Sequence, residues 1–427
     1  MDALYDRMVR FDGWGLRDVQ RVHLVVVGGE VLLPLFGKAA VSLGFERITI
    51  LGADSHLAER VAAEAMEHNP RAFVEARRLL FPAADRPIVA LVDLSSPAAP
   101  HLRLPPGGVA IGFGRTARGI EFGTDLAAIR SAPGLRPLES RAEVSILVGE
   151  LLCASLGLAG VYRDPITGAV FPGAPVHATV PLSPLPDDAL GPLRIHLSGA
   201  GGALGHGALA AIGLDLTLKR ALLGTFGSVV EGCDDDVVRR HNQARQLGYR
   251  RAGGRKAPDT EAWIRGALLP GADVSIADEK CRAEHLDGNN IDVLLAFVDS
   301  WSARRGIGAL ASAARVPALV SAGASFLGGF VRLVDGGTAC TDHGVEKLSE
   351  RDDGLQPGCA DSVAAPSSIL PQLFIGGLTA CMLRSRLAGE DVDPRGFDVH
   401  LMRHGDDGLR FSTGSPENRI CPCRSPE

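Results

Sequence analysis

Long apolar runs along this chain are separated by short polar or glycine-rich breaks, and the runs come in two textures. "QRVHLVVVGG" (20–29) is a continuous β-branched stretch, the pattern of a strand buried on both faces of a parallel sheet. "EVLLPLFGKAAVSLGF" follows as a helix with Pro34 in its first turn, and "RITILGAD" as a second strand ending at Asp54. These segments form a βαβ unit with an acid at the end of its second strand. "RPIVALVDLSS" (86–96) predicts a further strand, and "RAEVSILVGELLCASLGLAG" (141–160) a long apolar helix. Six prolines in "FPGAPVHATVPLSPLPDDALGP" (171–192) interrupt regular structure and mark a connector.

After the connector the plan restarts. "LRIHLSGAGGALGHGALAAIG" reads as strand, glycine turn and helix; "GSVVEGCDDD" as strand and acids; "NIDVLLAFVD" as a later strand ending in Asp299. The repeat distance is roughly 170 residues, which predicts two related α/β domains in tandem. The predicted boundaries are 1–170, a connector at 171–192, and 193–427.

Composition narrows the class. The 427 residues are 46% hydrophobic and 22% charged, with a net charge of −6, which gives no reason to expect nucleic acid or an anionic membrane as partner. No stretch approaches the roughly 20 consecutive apolar residues of a membrane span, and no signal pattern opens the chain. The eight cysteines are too scattered for a disulfide scaffold, so they read as thiols, metal ligands or a nucleophile in a reducing cytoplasm.

The two glycine turns differ. The second contains Gly199, Gly201, Gly202 and Gly205, which let backbone amides approach a phosphate at a helix N-terminus. The first has Gly28-Gly29 followed by Glu30, whose carboxylate repels a phosphate. On this reading the first domain is degenerate and the second is the working one. Downstream of the second turn, "CDDDVVRRHNQARQ" places Asp234 and Asp236 ahead of Asn242, Arg245 and Gln246. A carboxylate at a strand end suits ribose hydroxyls, and Asn242 and Arg245, one turn apart on a following helix, suit a polyphosphate.

"DDDVVRRHNQARQ" resembles the D-x-D-x-V-x-x-x-N-x-x-R-Q signature of the ubiquitin-activating and ThiF/MoeB-like adenylating family. The opening "YDRMVRFDGWG" (5–15) resembles that family's Y-D-R-Q-x-R-x-x-G start. The resemblance implies tandem Rossmann-like, doubly wound domains, an inactive adenylation-like one followed by an active one. It also implies an enzyme using ATP and Mg2+ to adenylate the C-terminal carboxylate of a small ubiquitin-like protein. By the same resemblance Asp234 binds the ATP ribose, while Asn242, Arg245, Gln246 and Lys256 contact phosphates. Asp299 organises Mg2+ and the phosphates, with Arg304 nearby. Arg7 reaches into a nucleotide site, either from the first half to the second or across a homodimer. Two departures stand out: Ser300 replaces the family's Asn, and "IGLDLTLKRALLGTFGS" inserts about ten residues before Asp234, read as an extended helix.

The cysteines divide into groups. Cys340 and His343 in "CTDH", with Cys421 and Cys423 in "CPC", have the donor chemistry of a tetrahedral structural Zn2+. The family's paired cysteines occupy similar places. Cys359 follows a polar run (342–356) with the look of a flexible crossover (336–360), and a helix is predicted to begin just after it. The resemblance makes Cys359 a thioester nucleophile that hands the activated protein to a conjugating enzyme. Cys153, Cys233, Cys281 and Cys381 read as core or incidental. Three other readings stay open. One is a sulfur-carrier or peptide-modifying adenylyltransferase without a thioester. Another is a nicotinamide-dependent oxidoreductase, and the third a catalytically dead scaffold.

Overall fold

The same strand order occurs twice. A computed structural model describes residues 5, 14–77, 86–161, 173–183, 191–286, 290–324, 328–335, 368–390, 397–401 and 411–412. After a short helix, α1 (Leu16–Arg21), the first half alternates β1 (His23–Val27), α2 (Leu33–Leu43), β2 (Arg47–Leu51), α3 (Ser55–His68), β3 (Phe73–Arg77) and β4 (Ile88–Asp93). It continues with β5 (Val109–Arg115), β6 (Ile120–Gly123), α4 (Leu126–Arg130), α5 (Glu143–Leu158) and β7 (Ala178–Val180). The sheet order is β3-β2-β1-β4-β5-β6-β7. The first five strands in that order run parallel, and β6 and β7 are antiparallel additions.

The second half comprises β8 (Arg194–Ser198), α6 (Ala203–Leu214), α7 (Leu216–Gly224), β9 (Val229–Cys233), α8 (Lys256–Trp263), β10 (Val274–Ala277) and β11 (Val293–Ala296). Then come α9 (Trp301–Ala313), β12 (Ala318–Ala324), β13 (Gly328–Asp335), α10 (Leu370–Leu387), β14 (Phe397–His400) and β15 (Phe411–Ser412). Its order, β10-β9-β8-β11-β12-β13-β14-β15, repeats the first sheet with one strand added. Both sheets are mixed, with a parallel part in the order of a Rossmann-like α/β fold.

The repeat extends to one helix of each half. α5 lies between β6 and β7, and α10 between β13 and β14. Both are apolar on nearly every side because they pack against each other and against sheet-covering helices. Small residues make the close approach possible. A Cβ on Gly149 would meet the Phe374 ring at 2.7 Å, and Gly376 faces the backbone of Gly207 on α6. Ser145 Oγ donates to the Leu373 carbonyl at 2.8 Å. One hydrophobic core therefore runs from Val26 in the first sheet to Val320 in the second.

A buried charge cluster lies within that core. Arg384, with no exposed surface, donates to Glu143 Oε1 at 2.6 Å and also to Asp215. Asp215 further accepts from the amides of Thr217, Leu218 and Ala142, so one carboxylate starts α7 and ties the halves together.

Several sequence expectations are corrected. The insertion before Asp234 is a second helix, α7, rather than an extension of α6, because Asp215 caps a new N-terminus. The proline-rich connector contains β7, which pairs with β6. Asp54 lies beyond β2, where it caps α3 by accepting from the Leu57 amide at 3.0 Å. β11 ends at Ala296, before Asp299. α10 starts at Leu370; Cys359 and residues 360–367, where the sequence predicts a helix to begin, lie outside the described residues. Among the described residues, no helix is long and apolar enough to cross a membrane.

Candidate functional site

The glycine turn of the second half is held from below. Gly199 has φ +80°, and its amide and that of Ala200 both donate to the Cys233 carbonyl, at 3.0 and 3.2 Å. A Cβ on Gly199 would lie 2.7 Å from the Phe297 carbonyl. Gly202 occupies the N-cap of α6. Gly201 is hemmed in by side chains: a Cβ there would collide with the Tyr249 hydroxyl and sit 2.7 Å from Lys256 Cβ. The residue types of the turn are therefore set by backbone geometry and close approach.

Beneath it runs a directed chain of hydrogen bonds. The Gly248 amide donates to His206 Nδ1 at 3.1 Å, leaving Nε2–H to donate to Thr260 Oγ1 at 3.2 Å. Thr260 Oγ1 lies 3.0 Å from the Tyr249 hydroxyl, which donates to the Gly201 carbonyl at 2.9 Å. The His206 imidazole is clasped by the Tyr249 and Trp263 rings, with centroids 4.5 and 4.6 Å away. Burial pushes its pKa down to about 3, with Lys256 adding to the effect.

Two aspartates and a lysine converge at the end of β9. Asp234 Oδ2 accepts from the Gly201 amide at 2.9 Å, and Oδ1 from the Asp236 amide at 3.1 Å. Burial raises the Asp234 pKa while Lys256 opposes the rise. Lys256 is returned to this point by backbone pairing: Val237 bridges Arg255, and the Lys256 amide donates to the Asp236 carbonyl at 2.9 Å. Its Nζ then donates to Asp236 Oδ2 at 2.7 Å. Burial alone would raise the Asp236 pKa. The Lys256 hydrogen bond and charge, with Arg239 and Arg245, outweigh it and hold it below its ordinary value.

The Asn242 segment departs from the expected helix. Residues Arg240–Asn242 form a single 3₁₀ turn, which ends in further turns. Asn242 Oδ1 accepts the Arg239 amide at 2.7 Å, so its side chain stabilises the turn. The Asn242 carbonyl accepts from the amides of Arg245 and Gln246, at 3.0 and 2.8 Å, which preserves the one-turn spacing without a helix. Gln246 is buried, and among the described residues its Oε1 has no hydrogen-bond partner.

The neighbouring loop carries Asp299. Phe297 and Val298 back Gly199, and Asp299 follows them as an exposed carboxylate. Ser300 has a structural task as N-cap of α9, its Oγ accepting from the Ala303 amide at 3.1 Å. One turn on, Arg304 is buried beside the Phe330 ring, 5.5 Å from its centroid. Burial pulls the Arg304 pKa down to about 10, against the charge of Asp299.

In the first half the equivalent turn is lined by acids. Gly28 and Gly29 have φ of +67° and +68°. Glu30 Oε1 accepts from the Asp54 amide at 3.0 Å, which ties its carboxylate to the loop after β2. Asp93, at the end of β4, accepts from the Ser95 amide at 3.0 Å. Burial raises its pKa, against hydrogen bonds from Ser95 and the Gly29 backbone.

A third group is one the sequence reading took as incidental. His196, Cys233 and Cys281 meet on the sheet face away from α6, with their donor atoms all within 4.8 Å of one another. Cys233 Sγ and Cys281 Sγ lie 3.6 and 3.7 Å from His196 Nε2. A hydrogen bond from the Cys233 thiol holds the Cys281 pKa down to about 5, with His196 assisting against burial. The same bond, together with burial, pushes Cys233 up. Three segments with no common spacing supply these donors. The one sequence signal was a histidine inside an otherwise apolar strand. Cys153 and Cys381 are buried core thiols, as expected. Arg7, Cys340, His343, Cys359, Cys421 and Cys423 lie outside the described residues.

No family model matches the chain, and no curated protein does. Among solved structures, the chain is similar to the crystal structure of selenomethionine-labelled PaaA, at 17% identity and a TM-score of 0.37. The likeness covers 51% of this chain and 62% of that one, so it spans less than two thirds of that protein's length. A likeness at that level bears on neither the chemistry nor the partners of this protein.

Proposed function

We propose that the second half is an ATP-dependent adenylating unit acting on the C-terminal carboxylate of a small ubiquitin-like protein, and that the first half is its inactive counterpart. The observation that carries the reading is the gathering of Gly201, Asp234, Asp236 and Lys256 at one strand end, from segments up to 55 residues apart. Asp234 accepts the ribose hydroxyls, exchanging its bond from Gly201 for them. Lys256, Arg245 and Gln246 face the phosphates, joined by the Gly201 amide that this exchange frees, while the Asn242 side chain holds that loop. The acids around Gly28–Gly29 support an inactive first half, since Glu30 and Asp93 repel a polyphosphate.

In the proposed reaction a carboxylate oxygen of the partner attacks the α-phosphorus. The bond to the bridging oxygen breaks, and pyrophosphate leaves. Negative charge accumulating there is stabilised by fixed cations. Asp299, exposed beside the turn, is the residue to hold Mg2+, which supplies charge neutralisation and phosphate alignment when bound. Arg7 adds a guanidinium to the nucleotide. The Cys359 thiolate then attacks the acyl carbonyl, a thioester forms and AMP leaves, and a conjugating enzyme is the next acceptor. Cys340, His343, Cys421 and Cys423 hold a structural Zn2+. Free thiols at Cys153, Cys233, Cys281 and Cys381 suit the cytoplasm as the place of action.

ATP–pyrophosphate exchange, measured with small ubiquitin-like proteins bearing a free C-terminal tail, tests the reading. Exchange by the parent, its loss in Asp299→Ala, and its retention in Cys359→Ala without a reductant-sensitive adduct are the expected results. Undiminished exchange in Asp299→Ala would contradict the assignment of the phosphate site.

A further inference from the structure

We propose that His196, Cys233 and Cys281 form a transition-metal site, built for zinc, behind the glycine turn of the second half. It is separate from the Cys340, His343, Cys421 and Cys423 set and does not rest on the adenylation reading.

Geometry comes first. In a tetrahedral zinc site with Zn–S near 2.3 Å and Zn–N near 2.0–2.1 Å, a sulfur and a nitrogen ligand lie about 3.5 Å apart. Both sulfurs here stand at nearly that separation from one nitrogen, at 3.6 and 3.7 Å. Without a cation the three donors are linked by hydrogen bonds, the Cys233 thiol donating to Cys281 and Cys281 pairing with His196. A cation in the middle serves all three donors at once, with the release of two thiol protons as the thiolates form.

Placement supports the same assignment. His196 alternates with Ile195 and Leu197, which face the core shared with α6, so it projects to the opposite face of the sheet. Cys233 is in register beside Ser198 and projects to that face as well. The loop after β10 folds back over them to deliver Cys281, which packs on the apolar cluster of Leu294, Ala296 and Ile307. His196 and Cys233 are fully buried, whereas Cys281 retains some exposure. That loop also places His285 with its ring centroid 6.3 Å from that of His196, bonded to Glu279 at 3.1 Å. Three protein donors and one partly open side leave the fourth position to water.

The consequence is structural. The Cys233 carbonyl accepts from the amides of Gly199 and Ala200, so the residue that ligates the metal through its side chain also anchors the glycine turn through its backbone. Metal at this point joins β8, β9 and the loop after β10 directly beneath Asp234.

The full-length chain, purified without chelator and loaded with zinc, provides the test. The Cys233→Ala/Cys281→Ala variant is expected to hold about one zinc equivalent per chain less than the parent, whatever number the parent holds. Cobalt substitution of the parent is expected to give thiolate-to-cobalt charge-transfer absorption that weakens in the variant. Should the variant fail to fold, alkylation of the parent decides. Cys233 and Cys281 are then expected to resist iodoacetamide when zinc-loaded and to be labelled after chelation. Equal zinc content in a folded variant and the parent, equal labelling with and without zinc, or recovery of a metal-free Cys233–Cys281 disulfide from the loaded parent would overturn the proposal.

Discussion

The Tyr249 hydroxyl donates to the Gly201 carbonyl at 2.9 Å across 48 residues of sequence, and it is the last link of a chain that starts at His206. Tyr249→Phe keeps the ring between His206 and the turn but leaves the carbonyl and Thr260 short of a partner. Loss of about 1–3 kcal/mol of stability is expected, the cost of stranding a buried polar group. Urea unfolding at neutral pH measures it, and an unchanged midpoint would show that water replaces the hydroxyl.

Lys256 is buried and bonded to Asp236. Lys256→Met keeps the stem and removes the charge, so the Asp236 pKa is expected to rise toward and beyond its ordinary value. On the proposed function, affinity for MgATP should fall at least tenfold, about 1.4 kcal/mol, since the proposed phosphate contact and the cation balancing Asp234 are both lost. Calorimetric titration checks the affinity, and equal affinity would remove Lys256 from the site.

Buried neutral histidines make the fold acid-sensitive. Burial holds His206 near 3 and, with help from neighbouring cations, His68 and His23 near 4. The unfolded chain binds protons at these positions below about pH 6.5, and the folded one does not until pH 4 or lower. Stability from each is therefore complete above pH 6.5 and falls as the pH drops toward 4, by on the order of 3 kcal/mol for a group held at 4. The melting temperature should decline over that window, and His68→Gln should flatten the slope. A melting temperature constant from pH 7 to 4 would contradict it.

Arg384 bridges Glu143 and Asp215 inside the core that joins the halves. Arg384→Met leaves two buried carboxylates without their main counter-charge, and a loss of about 3–5 kcal/mol is expected. Burial alone would raise the Glu143 pKa, but Arg384 holds it below its ordinary value. Its contribution is present above the unfolded carboxyl pKa and is lost as the pH falls through the folded one. Arg384→Met should therefore lose the most, relative to the parent, at neutral pH. Chemical denaturation at pH 7 and pH 3 compares the two.

Much of the strand plan was legible because buried parallel strands such as His23–Val27 and Arg194–Ser198 must be apolar on both faces. The repeat was legible because each half rebuilds the same βαβ start. What the sequence concealed was set by tertiary geometry. Asp215 reads as one more polar residue in a helical stretch, yet its carboxylate caps α7 and meets Arg384. Lys256 was placed by resemblance alone, whereas backbone pairing between 237 and 255 is what returns it to Asp236. His196, Cys233 and Cys281 share no spacing, so only the sheet register and the returning loop reveal them as neighbours.

Binding of MgATP to purified parent, Asp234→Ala and Asp54→Ala proteins, followed by calorimetry, bears most directly on the division of labour between the halves. One site per chain in the parent, no detectable binding in Asp234→Ala and near-parental affinity in Asp54→Ala are the expected results. Equal loss in both variants, or two sites per chain, would contradict a working second half and an inactive first.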